Sequence, residues 1–237
     1  LTEVERKSVE DVVVGAGVNK VYIIEEPVAA ALGARLPIDE PIANMIVDIG
    51  GGTTEIAVIS MGGTVTAKSL KIAGDKLNEE IIRFVREEFR LGIGEPTSEE
   101  IKLTIGSAMQ LAEKTEMTVR GRDLTSGLPR EIVIRDAQVR TAIAKPLKAI
   151  VEAVQEVIET APPELAGDIL GRGIYLCGGG SLLRGIDQLL SKELSVTTTI
   201  VEDPLTCVAR GTGIAIEHFE KYTAVLDNPF TPRAIKL

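Results

Sequence analysis

Eight consecutive residues, Asp48-Ile49-Gly50-Gly51-Gly52-Thr53-Thr54-Glu55, bring together a carboxylate, three glycines and two hydroxyls. That is the chemistry needed to wrap a backbone around phosphate. Glycines permit positive φ and close approach to a ligand, so successive N–H groups converge on one anion. Asp48 is placed to hold a hydrated Mg²⁺, and the hydroxyls of Thr53 and Thr54 to reach phosphate oxygens. An ordinary hairpin turn is the plainer alternative, although two glycines would suffice for it. A second run, Gly178-Gly179-Gly180-Ser181, follows an apolar strand and is expected to open a helix at Leu182. Such a corner presents free N–H groups to an anion or lets a flat base approach the backbone. Strand-to-helix turns often carry glycine for no other reason, but two such loops in one chain point to a nucleotide, with phosphates at one end and a base at the other.

Two acidic motifs add to these loops. Glu25-Glu26-Pro27 sits at a strand-to-helix corner, where two adjacent carboxylates cannot both be buried as ions. One facing a cleft beside a Mg²⁺-phosphate site would orient water for attack on the terminal phosphate; the alternative is a helix N-terminal acid stabilised by the dipole. In Glu99-Glu100-Ile101-Lys102, Glu99 and Lys102 share a helix face. They suit either the polar edge of a base or ribose, or a plain surface ion pair.

The surrounding pattern supplies the elements that hold these residues. Thr2 is placed to cap a first helix to about residue 18, and Val21 to Ile24 read as a short strand before an alanine-rich helix with Pro27 in its first turn. Asn44 to Val47 and Ile56 to Ser60 flank the first glycine run as a hairpin, and Thr64 to Leu70 extends it to an antiparallel meander. Helices are expected from Asp75 to Phe89 and from Thr97 or Ser98 through Ala108, with a hairpin from Glu116 to Leu124 and from Arg130 to Ile134. A long helix from residue 136 stops at Pro162-Pro163. A strand to Cys177, a helix from Leu182 to Leu190, a strand from Thr197 to Val201, and a helix capped by Asp203 then follow. The tail after Tyr222, with Pro229 and Pro232, is expected to be peripheral. This is an α/β order with a small α+β unit inserted between about Lys76 and Asp136.

Composition narrows the function classes. The 237 residues are 44% hydrophobic, enough for a core without disulfide staples. A net charge of −9 argues against a nucleic-acid surface, and with aromatics at 3% and no Trp there is no stacking platform for single strands. No apolar run approaches the roughly 18 residues of a membrane span. Cys177 and Cys207 lie in apolar segments without a spaced cysteine framework or a secretory leader, so a reducing cytoplasm is the expected setting. The lone His218 reads as a solvated helix residue rather than a ligand or base. The chain opens at Leu1 within a helical pattern, as though continuing something longer.

Taken together, Ile24 to Ala31, Val47 to Glu55 and Leu176 to Ser181 resemble the connect, second-phosphate and adenosine motifs of the actin/Hsp70/sugar-kinase superfamily. Within it the chain is similar, over essentially its whole length, to the MreB family of bacterial actin homologues. Asn44 to Ser60, Ile101 to Ala108, Thr118 to Leu124 and Glu202 to Gly211 are the most specific segments. The resemblance implies an actin-like, ribonuclease H-like α/β ATPase fold. Residues 1–40 would end a first large subdomain, 41–75 and 136–222 form a second, nucleotide-binding one, 76–135 be its insertion, and 223–237 a tail. It implies ATP and Mg²⁺ as cofactors, with Asp48 holding Mg²⁺ through water, Gly50, Gly51, Gly52 and Thr53 on the phosphates, and Glu26 positioning the attacking water. Glu99, Glu100, Ile101 and Lys102, with Gly178, Gly179, Gly180, Ser181 and Leu182, would take the adenosine. It further implies slow ATP hydrolysis coupled to assembly. Filaments of the chain itself, cytoplasmic and membrane-associated, would work with cell-wall elongation proteins to maintain rod shape, without nucleic acid. A chaperone-type ATPase and a sugar or acetate kinase are the superfamily alternatives. The family's first phosphate loop and its small subdomain have no counterpart in this chain.

Overall fold

The computed structural model describes residues 3–18 and 20–227; Thr2, Pro229 and Pro232 lie outside them. The described chain opens with α1 (Glu3–Gly15), β1 (Ile23–Ile24) and α2 (Glu26–Gly33). Pro27 stands in the first turn of α2, where its missing N–H has no partner to lose. The meander follows as β2 (Asn44–Ile49), β3 (Thr54–Ser60) and β4 (Gly63–Leu70). Its first hairpin pairs Asp48 with Glu55 and Ile49 with Thr54, leaving residues 50–53 as the loop.

The inserted unit is α3 (Gly74–Phe89), β5 (Leu91–Gly92), α4 (Glu95–Ile105), β6 (Glu116–Asp123) and β7 (Pro129–Arg135), its three strands forming an antiparallel sheet. The chain returns through α5 (Asp136–Thr160), α6 (Pro163–Arg172), β8 (Ile174–Cys177), α7 (Ile186–Leu194), β9 (Thr198–Ile200), α8 (Cys207–Glu217), α9 (Phe219–Tyr222) and β10 (Leu226–Asp227). β8 lies parallel to β2, and β9 parallel to β8, giving a five-stranded sheet of order β4-β3-β2-β8-β9.

Strand β2 is central and buried on both faces, which explains its continuous apolar run. Its alternate residues divide the core. Met45, Val47 and Ile49 pack with α5 and the inserted unit, while Ile46 joins α2 and α8 on the other face. α2 and α8 cross at backbone contact: a Cβ on Gly211 would stand 1.7 Å from the Ala29 carbonyl oxygen, and one on Gly33 1.8 Å from that of Cys207. No larger residue allows that approach.

Several expectations fail for local reasons. Pro162-Pro163 ends α5 but also starts α6, since Pro163 fits a first helical turn. The helix expected from Leu182 begins at Ile186, because Gly185 adopts a left-handed φ of 77° and Arg184 is drawn toward α4. Gly178 to Ser181 therefore leads into one 3-10 turn, not a helix. Asp203 does not cap α8: it has a left-handed φ of 47°, and its carboxylate accepts from Arg210 and the Thr206 hydroxyl instead. Ala108 lies past the end of α4, its N–H bonded to the Arg184 carbonyl. The chain after Tyr222 is not all peripheral, for Leu226 and Asp227 pair with Ile24 and Ile23. His218 stands exposed at the break between α8 and α9.

Candidate functional site

The hairpin loop joining β2 to β3 is held from behind. Gly50 N–H donates to the Thr53 carbonyl at 2.9 Å, and the carbonyls of Gly50 and Gly51 accept from Gly74 and Asp75 at the start of α3, at 3.1 and 2.8 Å. With those carbonyls turned toward α3, the N–H groups of Gly51, Gly52 and Thr53 donate to no acceptor among the described residues. The loop does this without positive φ at Gly50, Gly51 or Gly52, contrary to the reason expected for the glycines. Nor does packing call for glycine: around a Cβ on Gly51 or Gly52 the nearest atoms belong to the Asp75 carboxylate, at an ordinary contact distance of 3.6 Å or more. Thr53 is half-buried with its hydroxyl unengaged. Thr54 is fully buried, and its hydroxyl donates to the Ile72 carbonyl at 2.7 Å, so of these two hydroxyls that of Thr53 is the one left open.

The second glycine run packs against the first. A Cβ on Gly178 would fall 2.2 Å from Asp48 Oδ1, and one on Gly180 would fall 2.3 Å from Ile49 Cγ2. Packing demands both glycines, and at Gly178 a φ of 79° demands one as well. Ser181 is buried, and its hydroxyl donates to the Gly178 carbonyl at 2.7 Å, so it closes its own turn.

Between the two runs and the inserted unit lies a cavity of about 320 Å³. Of the residues singled out from sequence, Gly50, Gly51, Glu99, Lys102, Gly179, Gly180 and Leu182 line it. Gly52 and Thr53 stand in the adjoining loop. Ile101 is a core residue with no exposed surface, and Glu100 points to solvent. Lys102 Nζ donates to Glu99 at 2.8 Å and to the Gly74 carbonyl at 3.2 Å, and Asn78 donates to the same Glu99 oxygen at 2.6 Å. Burial works to raise the Glu99 pKa, but the hydrogen bonds from Lys102 and Asn78 outweigh it and hold the carboxyl below its usual range. This pair is a wall of the cavity rather than a loose surface bridge.

A carboxylate group gathers on the other side of the hairpin. Asp48 is buried, and burial raises its pKa; the Cys177 thiol donates to it and opposes the rise, while the Glu55 charge adds to it. Contact with Cys207, burial and Asp48 push the Cys177 thiol far up, so it stays protonated and remains a donor. Glu25 accepts from the Thr64 hydroxyl at 2.7 Å. Glu26 is instead turned toward Asp48 and Glu55, and partial burial, then those two charges, raise its pKa. Glu26, Asp48 and Glu55 thus stand near one another on that side, Asp75 lines the cavity, and Lys102 is already committed. Such a set fits a polyanion only together with a cation. Among the described residues no group of three or more His, Cys, Asp or Glu could hold a metal ion by itself.

Sequence reasoning passed over Glu55, Asp75, Arg184 and Leu205. The hairpin register could have given Glu55, since it faces Asp48. The others meet the cavity only through tertiary packing. Among the described residues no helix is long and apolar enough to cross a membrane.

Comparison with known proteins agrees with this architecture. A family model described as MreB/Mbl protein matches residues 1–224. The chain is 46% identical over 221 residues to the cell shape-determining protein Mbl of Bacillus subtilis, covering 93% of this chain and 66% of that protein. It is 48% identical over 221 residues to the cell shape-determining protein MreB of Escherichia coli, covering 93% and 64%. The chain thus spans a little under two thirds of the length of these relatives. MreB5 of Spiroplasma citri, solved with ADP, superposes with a TM-score of 0.91 at 39% identity, over 94% of this chain and 68% of that one. A MamK double helical filament gives a TM-score of 0.68 at 24% identity over 81% and 58%, a likeness of fold. The expected actin-like α/β fold is therefore the observed one, and the chain belongs to the MreB/Mbl family.

Proposed function

We propose that this chain carries one wall of the nucleotide cleft of an actin-like cytoskeletal protein that binds ATP with Mg²⁺. The observation that carries the reading is the row of unpartnered N–H groups at Gly51, Gly52 and Thr53, opening beside a cavity bounded by Glu99, Lys102 and Gly179. Consecutive free N–H groups on a rigid turn suit phosphate oxygens. Gly50, Gly51, Gly52 and Thr53 would take the phosphates, Asp48 a water-bound Mg²⁺, and Glu99, Lys102, Gly179, Gly180 and Leu182 the nucleoside. Mg²⁺ would neutralise phosphate charge that the surrounding carboxylates cannot. Glu26, free of the Thr64 contact that occupies Glu25, is the carboxylate available to orient a water.

In this reading residues 41–75 and 136–222 form the nucleotide-binding subdomain and 76–135 its insertion, and the complete protein has slow ATPase activity coupled to assembly. It forms membrane-associated filaments of its own copies that guide wall synthesis and maintain rod shape. The cell-shape role of the named relatives and the ADP bound to MreB5 support this. Calorimetric titration of the 237-residue chain with ATP and Mg²⁺ tests it: saturable binding that weakens when Mg²⁺ is withheld is expected, and no binding at millimolar ATP would overturn the reading.

A further inference from the structure

The two cysteines of the chain meet inside the fold. Strand register sets Cys177, the last residue of β8, beside Asp48 on β2, and Cys207 is the first residue of α8. The Cys177 sulfur touches the Asp48 carboxylate on one side and the Cys207 thiol on the other. Cys207 Sγ in turn donates to the Ala30 carbonyl of α2 at 3.1 Å. Neither residue has exposed surface, but the Pro204–Thr206 turn that runs into Cys207 is itself open, with Leu205 67% exposed. That turn is tied to the end of β8 by the bond from Gly178 N–H to the Pro204 carbonyl at 3.0 Å, so its local opening admits a small reagent to both sulfurs.

Apposed thiols are what a disulfide needs, because closure then takes side-chain rotation and little backbone movement. Contact with Cys177, against burial, and then the Arg210 charge hold the Cys207 thiol below its usual range, which makes it the sulfur that reacts first. We propose that Cys177 and Cys207 form a redox-active dithiol, which a hydroperoxide closes to a disulfide and a small thiol reopens. The Cys207 sulfur attacks the O–O bond and takes one oxygen as a sulfenic acid, while the remaining alkoxide or hydroxide leaves with the thiol proton. The Cys177 sulfur then displaces the hydroxyl from Cys207, and its own proton leaves with that hydroxyl as water. The thiol pair loses two electrons and the peroxide gains the same two. Closing the bond withdraws one donor from Asp48 and another from Ala30, a residue of the helix that begins at Glu26. Through Asp48 it weakens binding of ATP with Mg²⁺. That consequence rests on the nucleotide reading above; the disulfide does not.

The test exposes the native 237-residue chain to hydrogen peroxide, reads its intact mass and non-reducing peptide map, and repeats both after dithiothreitol. With two cysteines in the chain, an intramolecular disulfide joins this pair and no other. A monomer that loses two hydrogens and regains them on reduction is expected. Thiols that stay free, or that join only in urea, would overturn the dithiol, as would sulfinic acid at Cys207 with Cys177 unreacted. ATP titrations should show about a fivefold loss of affinity on oxidation, the worth of one lost hydrogen bond, with recovery on reduction. Cys207→Ser, which keeps the Cys177 contact with Asp48, should bind ATP alike before and after peroxide. A disulfide that leaves ATP affinity unchanged, or an equal loss in Cys207→Ser, would overturn the link to Asp48. A reduced chain that takes up no ATP would remove the nucleotide reading and that link, while the mass result still decides the dithiol.

Discussion

Helix α8 contains its own control experiment, because Gly211 and Gly213 sit two residues apart in one helix and meet opposite surroundings. A Cβ on Gly211 would lie 1.7 Å from the Ala29 carbonyl oxygen, 2.6 Å from the carbonyl carbon and 2.9 Å from Gly33 N, whereas one on Gly213 meets nothing within 4 Å. Every atom that Gly211→Ala would strike is backbone, so no rotamer change relieves it. To restore a 3.0 Å contact, α2 and α8 must part by roughly 1.3 Å, loosening the buried packing of Val28, Ala30, Ala31 and Leu32. Overpacking costs about 1–3 kcal/mol when side chains can adjust, and a backbone clash belongs at the upper end. Helix propensity returns about 1 kcal/mol on Gly→Ala. Gly211→Ala should therefore destabilise by about 2 kcal/mol, while Gly213→Ala, which gains only the propensity, should stabilise by up to about 1 kcal/mol. The difference of about 3 kcal/mol cancels propensity and isolates the helix crossing. Urea unfolding followed by far-UV circular dichroism measures it. Midpoints corresponding to a difference under about 0.5 kcal/mol would refute the close-approach argument.

Other outcomes follow from the site. Thr54→Val should lower stability by about 1–2 kcal/mol, since it leaves the half-buried Ile72 carbonyl without its donor; Thr53→Val should leave the urea midpoint unmoved and weaken ATP binding instead. In the complete protein, Glu26→Ala should keep ATP affinity near that of the parent and slow phosphate release sharply, and unchanged turnover would remove Glu26 from the water-positioning role. The Glu99 carboxyl titrates lower folded than unfolded, so its contribution is present above its ordinary value of 4.5 and is lost as pH falls through the depressed one. Glu99→Gln should accordingly lower the urea midpoint at neutral pH, with the gap to the parent closing in acid; a gap independent of pH would show that the charge is not what matters.

The part of the fold legible in sequence is the part fixed by short-range pattern. The β2–β3 hairpin follows from two apolar runs about a glycine-rich loop, and α5 from Val139, Ile143, Leu147, Ile150 and Val154 on one stripe, all buried. The illegible parts share a cause, which is that distant packing settled the choice. Pro163 reads equally as a stop and as a first turn. Leu182 carries helical periodicity, yet Arg184 is pulled away to the carbonyls of Thr104 and Gly106, and the helix starts late. Arg184 and Leu205 have no local signal at all, because the cavity exists only where α4 meets segments far along the chain.

The glycine runs show most clearly where composition stops deciding. As letters, Gly50-Gly51-Gly52 and Gly178-Gly179-Gly180 are the same signal, but they answer different physical demands. Gly178 and Gly180 are fixed by protein: Asp48, Ile49 and the Ile49 carbonyl fill the space their side chains would need. Gly51 and Gly52 have neither a protein atom within 3.5 Å of a Cβ nor positive φ, so folding alone does not explain them; in the nucleotide reading proposed above, a ligand approaching the loop would. The two demands are coupled, because Gly180 rests on Ile49, the residue that leads into the 50–53 loop. A displacement at the second glycine run therefore reaches the hairpin through one van der Waals contact. Gly180→Ala, with its Cβ 2.3 Å from Ile49 Cγ2, should consequently disturb phosphate binding even though residue 180 lies outside the hairpin loop itself.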